Sequence, residues 1–286
     1  MKRVSIIIVN YNNSDVLPAC LKSIDKWCDP ESTEVIVVDN NSKEDGLSQI
    51  KTDFPDIKYV EAGENLGFGK ANNLGSTFAA GKYLFLLNPD TELLTPVPTL
   101  LADYMDEYGE NTACIGAEIV NIHGKPDVSS GNFPTPLGLI KELFPSRYFP
   151  YRLKTKPADG GAYSVDYVSG ADIMISSVLF KAHKGFDPDF FLYYEETEFQ
   201  WRLAKAGYDR RILPSAKLMH ICGTTDHKLS SKKIEIFEKS RILFFSKVYG
   251  LFGQIFARIS LLIFYSSRLL FGGPKHYWSG IRTALR

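Results

Sequence analysis

Carboxylates stand at the ends of two apolar runs and inside one aromatic frame, and each is placed for a different task. Asp90 follows YLFLL at 83–87 through Asn88-Pro89. A carboxylate fixed at the end of a buried strand can bind a divalent cation through oxygen, and the cation can neutralise a diphosphate. Asp39 follows EVIVV at 34–38, where an acid can accept hydrogen bonds from a base N–H or a ribose hydroxyl. Glu195, Glu196 and Glu198 lie in FFLYYEETEFQWRLAKAGY, beside Phe190, Phe191 and two tyrosines and ahead of Arg202. Such neighbours desolvate a carboxylate, raise its pKa and make it a better proton acceptor near neutrality. On a helix Glu195 and Glu198 share a face, as do Glu198 and Arg202, while Glu196 projects elsewhere. His220, in AKLMHICGTTDH, ends a strand-like run and is a candidate metal ligand; His123, His183, His227 and His276 stand in less constrained contexts. Each motif has a plainer alternative: a simple Asn-Pro-Asp turn, an acidic first turn that complements a helix dipole, a structural histidine.

These groups need elements to hold them. Short β-rich runs recur at 4–9, 34–38, 57–61 and 83–87, separated by helix-like stretches at 15–27, 43–53 and 69–80, with Ser14 and Ser42 as N-cap candidates. Strand–helix alternation of this length predicts a mostly parallel sheet covered on both faces, an α/β fold. A polar cluster follows each run: Asn10-Tyr11-Asn12-Asn13, Asp39-Asn40-Asn41-Ser42, residues 63–67 and Asn88-Pro89-Asp90. In a parallel sheet those ends share one edge, where ligands bind. Further strands are expected at 114–120 and 172–175, and the Pro-, Gly- and aromatic-rich segment 121–161 reads as a substrate-side loop or small subdomain.

Composition excludes several classes. With 44% hydrophobic and 23% charged residues the chain is not a disordered one. Its four cysteines, Cys20, Cys28, Cys114 and Cys222, show no zinc or disulfide spacing and read as reduced thiols. The apolar run after Met1 is too short for a signal-peptide core. Gly67-Phe68-Gly69 lacks the third glycine of a dinucleotide fingerprint, and there is no Walker-type loop, so a bound nucleotide's phosphates must be held another way.

Taken together, VSIIIVNYNN, VIVVDNNS, NLGFGKANNLG, LFLLNPDTEL, YVSGADIMI, GFDPDFFLYYEETEFQWRLAKAGY and KLMHICG resemble glycosyltransferase family 2, over residues 3–225. The nearest likeness is to its rhamnosyltransferase-like branch in bacterial polysaccharide assembly. The resemblance implies a GT-A fold, Rossmann-like with a mostly parallel sheet flanked by helices, and an inverting transferase. The donor would be a nucleotide-diphosphate sugar, dTDP-rhamnose or a UDP-sugar, used with Mn²⁺ or Mg²⁺. It places Asp39 on the base or ribose, with Asn10, Tyr11 and Asn12 beside it and Asn65, Gly67, Lys70, Asn73 and Asn88 completing the donor site. Asn88 and Asp90 stand at the Asp-x-Asp position, with Asp90 holding the metal and Asn88 contributing only weakly or through water. His220 matches a third-strand metal position. The catalytic Glu-Asp motif falls on Glu195-Glu196, which makes Glu196 the expected base and Glu195 its competitor. Gly170, Ala171 and Asp172, with Arg202, are implied on the acceptor or sugar side. Two departures stand out: Asn88 removes one anionic ligand, and Glu196 is one methylene longer than the aspartate it replaces. A nucleotide-sugar-binding scaffold without turnover, or a sugar nucleotidyltransferase, remains as an alternative. The latter lacks its Gly/Arg/Lys-rich N-terminal loop.

The formal net charge is zero, yet residues 228–286 carry 11 Lys/Arg against two Asp/Glu and the remainder 22 against 31. A transferase domain at 1–227 is therefore expected to carry about −9 and a basic, aromatic helical tail at 228–286 about +9. Arg258 interrupts the tail's apolar stretch, so an in-plane amphipathic helix on an anionic inner leaflet suits it better than a span. Packing on the catalytic domain, or a homodimer interface, is the alternative. Basic residues spaced among apolar ones argue against nucleic acid. A peripheral position on the inner face of the cytoplasmic membrane, near a lipid-linked glycan acceptor, follows as the expectation.

Overall fold

Apolar residues crowd both faces of the first strands, and that dictates where they lie. In the computed structural model, which describes residues 2–43, 46–144, 157, 160–221 and 230–286, β1 (Val4–Asn10) is buried along its whole length. It is followed by α1 (Leu17–Trp27), β2 (Thr33–Asp39), α2 (Gly46–Asp53), β3 (Lys58–Glu61), α3 (Gly67–Ser76) and β4 (Tyr83–Leu87). β1 pairs in parallel with both β2 and β4, and β2 with β3, the arrangement that the strand–helix alternation predicts. α1 starts after Val16 without a side-chain cap, so the expected Ser14 cap is not formed, and Pro18 supplies the preset first turn instead.

The chain continues through β5 (Thr91–Leu93), α4 (Val97–Tyr108), β6 (Thr112–Val120), β7 (Ser130–Gly131), α5 (Pro136–Glu142), β8 (Tyr163–Ser164), β9 (Tyr167–Val168), β10 (Asp172–Ser176), α6 (Ser177–Ala182), α7 (Glu195–Lys205) and β11 (Asp209–His220). Among the described residues the main sheet runs β3-β2-β1-β4-β10-β6-β11-β5, with β8 on β11. β10 lies antiparallel between β4 and β6. One apolar cluster fills each face: Ile6, Ile8, Leu21 and Phe85 on one, Ile7, Ile36, Phe180 and Phe199 on the other. The segment 121–161 is not structureless where described: β7 and α5 lie in it, and Leu139 of α5 is buried against the tail. Its remaining part, with Pro145 and Pro150, falls outside the described residues, as do Cys222, His227 and the expected boundary at 227–228. Cys20 and Cys114 are buried thiols, pushed up to about 12 by desolvation.

The tail forms α8 (Ser231–Leu270) and α9 (Trp278–Leu285). Gly250, at φ 66° and ψ −159°, breaks α8 into two arms. Tyr265 Oη donates to Glu238 Oε1 at 2.6 Å; in a straight helix residues that far apart in sequence would be separated by about 40 Å. The arms therefore fold back into a hairpin. Its first arm packs on the catalytic body through Ile242, Phe244 and Phe245 against Phe190, Tyr194 and Trp201.

Candidate active site

Parallel pairing brings the strand ends to one edge. Asn10 stands opposite Asp39 in the β1–β2 register, and Ile8 opposite Leu87 in β1–β4, so Asp39, Tyr11 and Asn88 emerge together. Tyr11 is exposed and Asp39 half-buried, its Oδ1 accepting from the Ser42 amide at 3.2 Å. The Ser42 hydroxyl accepts from Asn10 Nδ2 at 3.2 Å and from the Asn12 amide at 3.0 Å. Asn10 and Asn12 thus brace the two strand-end loops and leave Tyr11 facing outward, with Asn12 in the left-handed conformation at φ 54°. Ser42 ties these loops together where a helix cap was expected of it.

The glycine-rich turn lies next to this pair. Asn40, fully inside, donates to Asn65 Oδ1 and to the Gly67 carbonyl, both at 3.1 Å, and accepts from the Leu66 amide at 2.8 Å. Gly67 sits at φ +78°, and a side chain there would collide with the Phe191 carbonyl, which also accepts from the Phe68 amide at 3.0 Å. Only glycine allows that approach. Lys70 is exposed on α3, whereas Asn73 clamps the backbone of Phe186, donating at 2.8 Å and accepting at 2.9 Å. Asn73, expected in the donor site, uses its amide to join α3 to the 185–186 turn.

Asn88 and Asp90 follow β4. The Asn88 amide donates to the Ala171 carbonyl at 2.9 Å, and the Ile221 amide to the Asp90 carbonyl at 2.8 Å. These bonds stitch the Asn-Pro-Asp turn to the start of β10 and the end of β11. His220 Nε2 lies 3.2 Å from Asp90 Oδ1, and both side chains retain partial access to solvent. Among the described residues no third His, Cys, Asp or Glu joins them. The spacing suits two ligands of one ion, because donors about 2.1 Å from a cation and at right angles to each other stand about 3 Å apart.

The glutamates open α7. Tyr193 and Tyr194 precede them at φ 70° and 69°, two consecutive left-handed residues without glycine's freedom, a strain of the kind that gathers at working sites. They are held from behind: Arg241 Nε donates to Tyr194 Oη at 3.2 Å and Ser240 Oγ to the Leu192 carbonyl at 2.7 Å. Glu195 is 2% exposed, packs beneath Gly69 and has Oε2 without a hydrogen-bond partner. Desolvation, then the charge of Glu196, drives its pKa well above the ordinary value. Glu196 is half-buried and also raised by desolvation, while Thr197 and its own backbone amide pull the other way. A methyl group placed on Gly170 would meet Glu196 Cγ at 3.4 Å, which puts Glu196 against the turn that carries Ala171.

Asp172 and Arg202, expected on the acceptor side, both lie within the fold's own hydrogen-bond network. Asp172 is fully buried in the sheet, with Oδ2 accepting from the Ala117 amide and Oδ1 unpartnered, and burial raises its pKa well above the carboxylate range. Arg202 is committed to the fold, donating to both Glu198 oxygens at 2.8 and 3.0 Å and to the carbonyls of His183 and Gly185. The Glu198–Arg202 face is as the helical spacing predicts. Asn40 went unremarked as a site residue, although an asparagine directly after a buried strand is the signal that could have found it.

The family described as "Glycosyl transferase family 2" matches residues 5–170, more than half of the chain. Among curated relatives, low-salt glycan biosynthesis hexosyltransferase Agl10 of Haloferax volcanii is 31% identical over 203 residues, covering 70% of this chain and 61% of its own length. Rhamnosyltransferase WbbL of Escherichia coli K12 is 26% identical over 270 residues, covering 90% and 98%. N-acetylglucosaminyl-diphospho-decaprenol L-rhamnosyltransferase of Mycobacterium tuberculosis is 23% identical, covering 75% of each. Two solved structures share the fold: GalNAc-T7 with UDP, GalNAc and Mn²⁺, at TM-score 0.63 and 16% identity over 98% of this chain and 56% of that one, and S. aureus TarS 1–349 with UDP-GlcNAc, at TM-score 0.61 and 16% identity over 99% and 79%. The sheet order, the strand-end edge and these likenesses agree on a GT-A fold, and the chain belongs to glycosyltransferase family 2.

Proposed function

We propose that the protein is a metal-dependent inverting glycosyltransferase that moves a sugar from a nucleotide-diphosphate donor to a hydroxyl of a lipid-linked glycan, at the inner face of the cytoplasmic membrane. The observation that carries the reading is the meeting of Glu196, the Gly170-Ala171 turn and the Asn88–Asp90 turn at one sheet edge. Asp39 and Tyr11 offer a hydrogen-bond acceptor and a stacking ring for the nucleoside, beside the Asn65–Gly67 turn. Asp90 and His220 would hold a divalent cation, and a carboxylate with an imidazole suits Mn²⁺ better than Mg²⁺. When bound, the cation supplies positive charge for the departing diphosphate.

The protein's own groups do the rest. Glu196, with its raised pKa and its access to the edge, takes the proton of the acceptor hydroxyl as that oxygen bonds to the anomeric carbon and the bond to the diphosphate breaks. One displacement inverts that carbon. Glu195 has the wrong exposure for this task. It is buried under α3, against Gly69. A rhamnosyl donor is favoured by the likeness to two relatives that carry rhamnosyltransferase names.

The test is thermal stabilisation by a panel of nucleotide sugars with Mn²⁺ or Mg²⁺, in wild type and Asp90→Ala. One nucleotide family should raise the melting temperature only with metal, and the rise should vanish in Asp90→Ala. No shift with any sugar and either metal would overturn the donor reading and favour a chain without turnover.

A further inference from the structure

Fold-back at Gly250 gives the two arms of α8 opposite surroundings. In the second arm Gly253, Ala257, Leu261 and Tyr265 are buried against the first arm and α9. On the opposite side Phe252, Ile255, Ile259 and Ile263 recur at helical spacing and are 90%, 48%, 51% and 49% exposed. Leu270, 84% exposed and seven residues beyond Ile263, continues the row to the end of the arm. A row of large apolar side chains that long, on an element glued to the body by its other face, marks an interaction surface.

Charge identifies the occupant. The tail carries about +9 and the body about −9, and Lys275, Arg282 and Arg286 are exposed near the end of the hairpin. A second copy would bring an equally cationic tail against this face. An anionic lipid surface would attract the tail and repel the body, which orients the molecule with the bare arm inward. Arg258, donating to the Ala284 carbonyl at 2.9 Å, ties the arm to α9, so the arm lies in the interface with its other face still on the protein rather than crossing the bilayer.

We infer that the second arm of α8 docks the protein on an anionic lipid bilayer, with Phe252, Ile255, Ile259 and Ile263 inserted among the acyl chains. The purpose rests on the lipid-linked acceptor reading above, but the contact itself needs neither donor nor acceptor. The test is co-sedimentation of the full chain with vesicles of phosphatidylcholine alone or with added phosphatidylglycerol, for wild type, Phe252→Glu/Ile259→Glu and Lys275→Glu/Arg282→Glu. Wild type should sediment with the anionic vesicles and weakly with the neutral ones. The apolar double variant should lose at least about tenfold in binding at an unchanged melting temperature, because both side chains are exposed. The charge-reversal variant should lose the preference for anionic lipid. Equal binding by wild type and Phe252→Glu/Ile259→Glu would overturn the inference. So would a wild-type dimer that ignores both vesicle types and becomes monomeric in that variant, which would assign the face to a second copy. Because no nucleotide sugar is present, a failure here leaves the donor reading standing, and the reverse holds too.

Discussion

Two buried glutamates, one at the sheet edge and one in the helical hairpin, are almost equally hidden and entirely different in company. Glu238, between the arms of α8, accepts from Tyr265 Oη and lies 3.3 Å from Arg241 Nε. Each has an Oε2 without a hydrogen-bond partner, but Glu195, at the start of α7, faces a second carboxylate where Glu238 faces a guanidinium. Burial raises the pKa of both, but at Glu238 the charge of Arg241 opposes the rise, whereas at Glu195 the neighbouring Glu196 adds to it. A scaffold surrounds a buried acid with partners. At the start of α7 a buried acid meets a like charge instead, directly after the strained Tyr193-Tyr194 turn, a combination of the kind that gathers at working sites.

Substitutions at these positions can break or sharpen that contrast. The largest effect is expected at Glu196→Gln: a loss of transfer of about a thousandfold with donor-induced stabilisation retained, read by product formation beside a melting curve. If Glu195→Gln loses as much and Glu196→Gln does not, the roles are exchanged. Next comes Glu238→Ala, which leaves Tyr265 Oη without its acceptor and Arg241 with Glu142 as its one remaining carboxylate, and should cost about 2 kcal/mol of folding stability, measured by denaturant unfolding. Glu195→Gln should act in the opposite direction. The folded protein binds the Glu195 proton more tightly than the unfolded chain, so stability is fully present below the ordinary value of 4.5 and declines as pH rises toward the raised folded value. The variant escapes that decline. Its melting temperature should match wild type near about pH 4 and exceed it at about pH 8, and a lower value at about pH 8 would show that Glu195 is ionised and compensated after all. The smallest effect on transfer belongs to Gly250→Ala, because φ 66° with ψ −159° is a region that essentially only glycine occupies and a side chain there costs about 2 kcal/mol. It should lower stability by about that amount and leave transfer unchanged.

How far the sequence revealed this arrangement differs by element. β4 lies where the run YLFLL put it, and β1, β2 and β3 fall within a residue of their expected ends; β1 and β4 are buried on both faces and read as unbroken apolar runs, whereas the edge strand β3 is largely exposed. The polar clusters after them were legible as one edge for the same reason. The hairpin was not. Gly250 sits in VYGLFG with apolar residues on both sides, so the periodic pattern runs through the break and the tail reads as a single extension. Nor did any local signal mark Tyr193 and Tyr194 as left-handed, since tyrosine has no preference for that region and tertiary contacts from Arg241 and Phe237 hold it there. Asn73 and Arg202 belong to motifs of the right type in the right order, and spacing reveals the Glu198 partner of Arg202 but not the backbone groups of the 183–186 turn that both residues also hold.

The reversed direction of β10 carries a consequence for how such a protein diversifies. Because β10 enters the sheet at the ligand edge rather than leaving it there, the connection from β6 to β10 both starts and ends on that edge, while Asp39, Tyr11 and the Asn65–Gly67 turn belong to the parallel half. On the proposed reading, insertions or deletions within that connection would reshape what the acceptor meets and leave the nucleotide half untouched, so donor choice and acceptor choice would be inherited on separate stretches of the chain, free to change at different rates.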